Sequence, residues 1–262
     1  NRTSPFAFTG NRFEFRAVGS NQSLAGPLVA LNTVLADSLE WISDQLETRL
    51  SSGQNLNDAI GQVLKELMQE HGRVVFGGDG YASEWHHIAE IERGLENLKT
   101  TADALPVIIR PEVRELFERQ GVLSPEELHS RFEVYAEQYI SSIDVEARLA
   151  VEISRTMVYP AAMRYLGELA QSIQLQTAMG HQVSPETHTR VINYCQQLMD
   201  VSSRLQSAVD QPPHGTEPRM RHSADILLPL MAELREAVDG LESLVDDNLW
   251  PLPNYQEMLF VR

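Results

Sequence analysis

A single cysteine, Cys195, in 262 residues excludes an internal disulfide framework and suits a reducing compartment. No apolar run approaches the roughly 18 residues of a membrane span. The opening Asn-Arg-Thr has neither the basic stretch nor the apolar run of a secretory leader. A soluble, cytoplasmic protein with no membrane partner is the expectation. Positive charge is scarce as well: 21 Lys and Arg against 37 Asp and Glu give a formal net charge of -16 and a pI near 4.9. That balance argues against a broad nucleic-acid surface. Aromatic residues make up only 7%, yet 42% apolar and 22% charged residues are the proportions of a globular chain able to bury a core.

What is present is concentrated at the start. Residues 1–16 read NRTSPFAFTGNRFEFR and hold three arginines against one glutamate, a cationic island in an acidic chain. Strict alternation in Arg12-Phe13-Glu14-Phe15-Arg16 predicts a strand over 11–18, with Arg12, Glu14 and Arg16 on one face and Phe13 and Phe15 on the other. Charged side chains on that face stand about 6.5 Å apart along the strand. One carboxylate there can ligate a hard divalent cation through oxygen, while flanking guanidiniums take phosphate or carboxylate oxygens in pairs. Alternation alone is equally compatible with a solvated face of an ordinary antiparallel sheet.

The remainder reads as helical. Gly26-Pro27 opens a helix whose Leu28, Leu31, Leu35, Leu39 and Ile42 recur every three or four residues, predicting one inward-packed face. A second helix is expected over about 56–70, followed by a short strand or extended run at Arg73-Val74-Val75-Phe76. Gly77-Gly78-Asp79-Gly80 then reads as a turn, because no lysine or strand-to-helix fingerprint makes it a phosphate loop. Ser124-Pro125-Glu126-Glu127 is a capping box, and Ser184-Pro185 repeats the device. A long helix over about 144–179 meets Pro160, which removes a backbone donor and predicts a kink.

Two apolar seams follow. Val191, Tyr194, Leu198, Val201, Leu205 and Ala208 form one, and Leu227, Leu230, Leu234, Ala237, Leu241 and Leu244 the other. A turn through Pro212, Pro213 and Gly215 makes an antiparallel helical hairpin, its second arm bent at Pro229 and Cys195 filling space on the seam. His86 and Glu90 share a helical face four residues apart, which allows two metal ligands but no complete site.

The run NRTSPFAF followed by RFEFRAVGSNQSLAGPLVALNTVLADSL resembles the active-site region of glutamine synthetases, specifically their type III branch. The later stretches GGDGYASEW, RGLENLKTTADALP, GVLSPEELHSR and DNLWPLPNYQEMLF carry the resemblance on to Arg262. It implies a carboxy-terminal excerpt of a longer polypeptide, inactive alone, whose intact form is a glutamate–ammonia ligase working through glutamyl phosphate. The implied fold is mainly α with a few short β-strands at the amino-terminal end. Residues 1–180 would be the carboxy-terminal part of an α+β catalytic domain, and 181–262 a helical hairpin extension with the tail. The resemblance further implies that Glu14 ligates a divalent metal, Mg2+ or Mn2+, and that Arg16 holds the γ-carboxylate of glutamate. Arg2 would reach the γ-phosphate of ATP, with Arg12 on the nucleotide side. Many relatives place a second arginine five residues after the first, where this chain has Ala7. Implied partners are glutamate, ammonia, ATP and further copies of the chain, in a dodecamer of two hexameric rings. A competing expectation is a helical assembly module whose opening arginines are structural.

Overall fold

The structure, a computed structural model, describes residues 6–8, 10–15, 23–75, 78–80, 82–253 and 255–259. Near the start, β1 (Phe6–Phe8) and β2 (Phe13–Phe15) pair antiparallel, with Phe6 opposite Phe15, Ala7 opposite Glu14 and Phe8 opposite Phe13. Gly10 turns the chain at φ 98°, a left-handed conformation that glycine adopts without a Cβ clash. Every other described element is helical. In order they are α1 (Ala25–Ser51), α2 (Leu56–His71), α3 (Ser83–His87), α4 (Thr101–Ala104), α5 (Pro111–Arg119), α6 (Pro125–Ile153), α7 (Tyr159–Ala178), α8 (Glu186–Asp210), α9 (Thr216–His222), α10 (Leu228–Glu242) and α11 (Tyr255–Leu259).

The expected class therefore needs correction. The described residues contain no sheet of an α+β catalytic domain, only this three-residue ribbon, and the chain is mainly α. The physical reason is size: a two-stranded ribbon has no face broad enough to bury a core. Within the strand expected over 11–18, pairing is confined to Phe13–Phe15, while residues 16–18 lie outside the described residues. The strand or extended run expected at 73–76 is also corrected. Gly72–Val74 forms a 3-10 turn closed by the Val75 N–H on the Gly72 carbonyl at 3.1 Å, and Phe76 lies outside the described residues.

The chain packs as two units. The first comprises residues 1–99 and 106–130. Asn55 caps α2 by accepting the Asp58 N–H at 3.0 Å, and Ala59 and Val63 are its buried residues. In α1 the expected face is covered only in part: Leu31 and Ile42 are half-buried, and the other three leucines are exposed. Leu28, Leu35 and Leu39 are 50%, 56% and 56% exposed, whereas Thr33 is 2% exposed. The polar side is the one held against α5: Asp37 accepts from Arg119 Nη2 at 2.5 Å and Nε at 3.2 Å, and Gln120 donates to Glu40 at 2.7 Å. The expected capping box forms, with Ser124 N–H donating to Glu127 at 2.8 Å and Glu127 N–H to the Ser124 hydroxyl at 3.2 Å.

The second unit comprises residues 100–105 and 131–262. Its core joins Ala147 and Val151 of α6, Ala162 of α7, Leu198 and Leu205 of α8, and Leu234 and Leu241 of α10. The two expected seams are these α8 and α10 faces. They approach so closely that a Cβ on Gly240 would lie 2.5 Å from the Tyr194 ring. The long helix expected over about 144–179 is instead the end of α6, a π turn and α7, and α8 also departs from its expected start. Ser184 accepts the Glu186 N–H at 3.3 Å, but the reciprocal bond is absent because Thr187 stands where a capping box needs Glu or Gln.

Pro160 and Pro229 are accommodated alike. A π turn over Ser154–Val158 precedes Pro160, and another over Ser223–Leu227 precedes Pro229. The Tyr159 N–H reaches the Ser154 carbonyl and the Leu228 N–H the Ser223 carbonyl, five residues back in each case. Widening the turn by one residue moves the ring away from the carbonyl it would strike in a regular helix. Both segments follow one pattern, Ser, three residues, a buried aliphatic, one residue, Pro. Both serines are buried.

Candidate functional site

The ribbon brings two of the expected functional side chains together. Arg12, in the bend, and Glu14, at the centre of β2, project on the same side two residues apart, and Arg12 Nη2 lies 3.5 Å from Glu14 Oε1. The arginine side chain is 73% exposed and the carboxylate 35%, so the pair is solvated and adds little to stability. Arg2 and Arg16 lie outside the described residues. Glu14 supplies one oxygen donor group, whereas a divalent cation takes about six ligands. Its chemistry fits a hard cation, and a complete site would need further ligands from other residues.

Elsewhere, no group of three or more His, Cys, Asp and Glu could hold a metal among the described residues. His86 is exposed at the end of α3, and the segment after it is a π turn over Ile88–Glu92, so the four-residue helical relation to Glu90 is lost. Glu90 instead accepts from Asn97. Cys195 is buried on the α8 seam, where loss of water pushes its thiol pKa up and keeps it protonated. A groove of about 360 Å³ in the second unit is lined by Ile153, Val158, Met231, Trp250 and Leu252, with Ser154, Asp239 and Glu242 also on its walls; the Ser154 hydroxyl donates to the Val151 carbonyl at 2.8 Å.

Several polar ties were invisible from sequence. Arg93 donates to the carbonyls of Arg73 at 2.9 Å and Val75 at 2.7 Å while its guanidinium lies 5.1 Å from the Trp85 ring centroid. Arg155 Nε donates to the buried Ser202 hydroxyl at 2.8 Å. Arg221 pairs with Asp103, which also accepts from the Thr100 hydroxyl at 2.6 Å. The bonds from Arg93 to Arg73 and Val75, from Arg155 to Ser202 and from Arg221 to Asp103 span 18 or more positions, a separation at which local patterns carry no signal.

Within this helical body, residues 59–177 match the model of the glutamine synthetase C-terminal domain. Along its length the chain is similar to proteins named glutamine synthetase. It is 37% identical over 277 residues to the type-3 glutamine synthetase of Dictyostelium discoideum, a match covering 100% of this chain and 37% of that protein. It is 29% identical over 274 residues to a glutamine synthetase of Bacteroides fragilis and 31% identical over 270 residues to one of Butyrivibrio fibrisolvens. The chain thus spans about 37% of the length of the curated relatives it matches. Nothing in these matches favours a free-standing helical assembly module.

Proposed function

We propose that this chain contributes the charged ribbon and the helical body of a glutamate–ammonia ligase. The observation that carries the reading is similarity along the whole chain to proteins named glutamine synthetase, the charged opening included. By descent, residues 1–180 correspond to the carboxy-terminal part of the catalytic domain and 181–262 to a hairpin extension. In the reaction, a γ-carboxylate oxygen of glutamate attacks the γ-phosphorus of ATP and the bond to ADP breaks. Ammonia then attacks the acyl carbon, inorganic phosphate leaves and a proton is released. Negative oxygens crowd together in the first step, so catalysis there is largely positioning and charge neutralisation.

Four residues of this chain suit that task. Glu14 is the metal ligand, and Mg2+ or Mn2+ bound there would supply charge neutralisation on the phosphates. Arg16 holds the γ-carboxylate of glutamate, Arg2 the transferred phosphoryl group, and Arg12 the nucleotide side. Ala7 leaves no second arginine in that segment, so any further phosphate contact comes from other residues. A cytoplasmic enzyme of two stacked hexameric rings is the assembly in keeping with the type III branch.

The test is made in an intact polypeptide containing this chain, by following ATP- and ammonia-dependent glutamine formation after Glu14→Ala and Arg16→Ala. The expected result is a loss of at least about 100-fold in kcat for each, the scale found when one charge-stabilising group is removed. Unchanged turnover in both variants overturns the assignments.

A further inference from the structure

Residues 100–105 part from their neighbours in sequence. Residues 99 and 106 belong to the first unit, yet the six residues between them pack with the second. Their helix, α4, rests on one local motif and one distant tie. The Thr100 hydroxyl accepts the Asp103 N–H at 3.1 Å and donates to the Asp103 carboxylate at 2.6 Å, and Arg221 of α9 pairs with the same carboxylate. Ala102 is the buried residue of α4, and it stands outside the core that joins α6, α7, α8 and α10. The Asp103 and Arg221 side chains are still 30% and 51% exposed. One methyl group and one partly solvated ion pair therefore hold the segment, and each contributes little. In α8, by contrast, Val191, Leu198, Val201 and Leu205 are fully buried.

We infer that residues 100–105 are a latch, docked on α9 through Asp103 and Arg221, which opens while the helical core of the second unit stays folded. Closed, it fixes the chain to α9 between residues 99 and 106; open, the crossing at 130–131 is the remaining link between the two units. Opening costs the ion pair and the Ala102 contact, and it returns conformational freedom to about six residues. The released segment does not keep its helix, because Thr101–Ala104 is far shorter than the roughly 12 residues an isolated helix needs. Docking and helix formation are thus one event. A tie made by charge also responds to salt, since mobile ions screen a pair that water reaches. The latch stands independently of the roles given to the opening arginines and Glu14.

Hydrogen exchange reads the latch directly, because the Asp103 and Ala104 N–H groups both donate to the Thr100 carbonyl, at 3.1 and 3.0 Å, while α4 is formed. In an intact polypeptide containing this chain, the peptide covering 100–105 is followed beside one from the centre of α8. The expected result is exchange at least about threefold faster over 100–105 in Arg221→Gln, with α8 unchanged. Raising salt from about 0.05 M to about 0.5 M should speed the same peptide in wild type without any substitution. Arg148→Gln, which removes a similarly exposed ion pair to Asp210, leaves 100–105 as in wild type. If Arg221→Gln fails to fold, Asp103→Asn and the salt series take its place with the same outcomes. Exchange over 100–105 that responds to neither substitution nor salt overturns the inference. So does equal acceleration of α8, which would make the segment part of the core's cooperative unit, or equal acceleration of 100–105 by Arg148→Gln.

Discussion

Two stripes of leucines with the same three-and-four spacing end in opposite surroundings. Leu227, Leu234 and Leu241 are 1%, 3% and 0% exposed, while Leu28, Leu35 and Leu39 of α1 are half open to water. The periodicity is identical in kind, so spacing selects which side of a helix is apolar and leaves open what covers it. In the hairpin the covering element is close in sequence, because α8 and α10 are joined by a short turn and α9, and each stripe finds the other. For α1, the neighbouring α5 offers Arg119 and Gln120 and draws the polar side instead.

The contrast is broken most strongly at the centre of the seam. Leu198→Ala removes a fully buried side chain and should cost about 2–5 kcal/mol, whereas Leu35→Ala should stay within about 0.5 kcal/mol. Urea denaturation of the two variants beside wild type checks this; equal losses would show that exposure does not distinguish the stripes. Next comes the closest approach in the seam. Gly240→Ala adds a methyl that meets the Tyr194 ring and should cost about 1–3 kcal/mol, with Tyr194→Ala in the same chain recovering part of that loss. Additive losses in the double-mutant cycle would contradict direct contact.

Smaller again is the local cap. Ser124→Ala deletes one half of a reciprocal pair and should lower stability by about 1 kcal/mol, and Ser184→Ala by less, because only one bond forms there. Thermal melts that rank the two in reverse would refute the explanation given for Thr187. The smallest effect is on pH dependence. Hydrogen bonding from Arg119 holds the Asp37 carboxyl below its usual range, and Thr100, with Arg221, does the same for Asp103. A depressed folded pKa contributes stability that is present above the unfolded value of about 3.9 and is lost as pH falls through the folded value. Melting temperature should therefore drop more steeply below about pH 4 in wild type than in Asp37→Asn/Asp103→Asn. Parallel curves would show that these ion pairs are too solvated to matter.

Features legible from sequence were those whose partners lie within a few residues. The Ser124–Glu127 box is spelled out over four positions, and the seam at Leu198 and Leu241 follows from helical period plus a Pro-rich turn. Pro160 predicted a disturbance correctly in place, though its form, a π turn shared with Pro229, depends on backbone register that composition does not encode. The outward leucines of α1 were unreadable because Asp37 and Arg119 are 82 positions apart. In the candidate site, the shared side of Arg12 and Glu14 follows from alternation, whereas the short extent of the ribbon does not. The roles given to Arg2 and Arg16 come from family likeness.

The central claim is that Glu14 belongs to a metal-dependent ligase site. It is tested most directly by titrating Mn2+ into an intact polypeptide containing this chain, following the free-ion paramagnetic resonance signal for wild type and Glu14→Gln. The account predicts at least tenfold weaker binding of one Mn2+ in the variant, together with lost glutamine formation. Identical titration curves with full activity would contradict it.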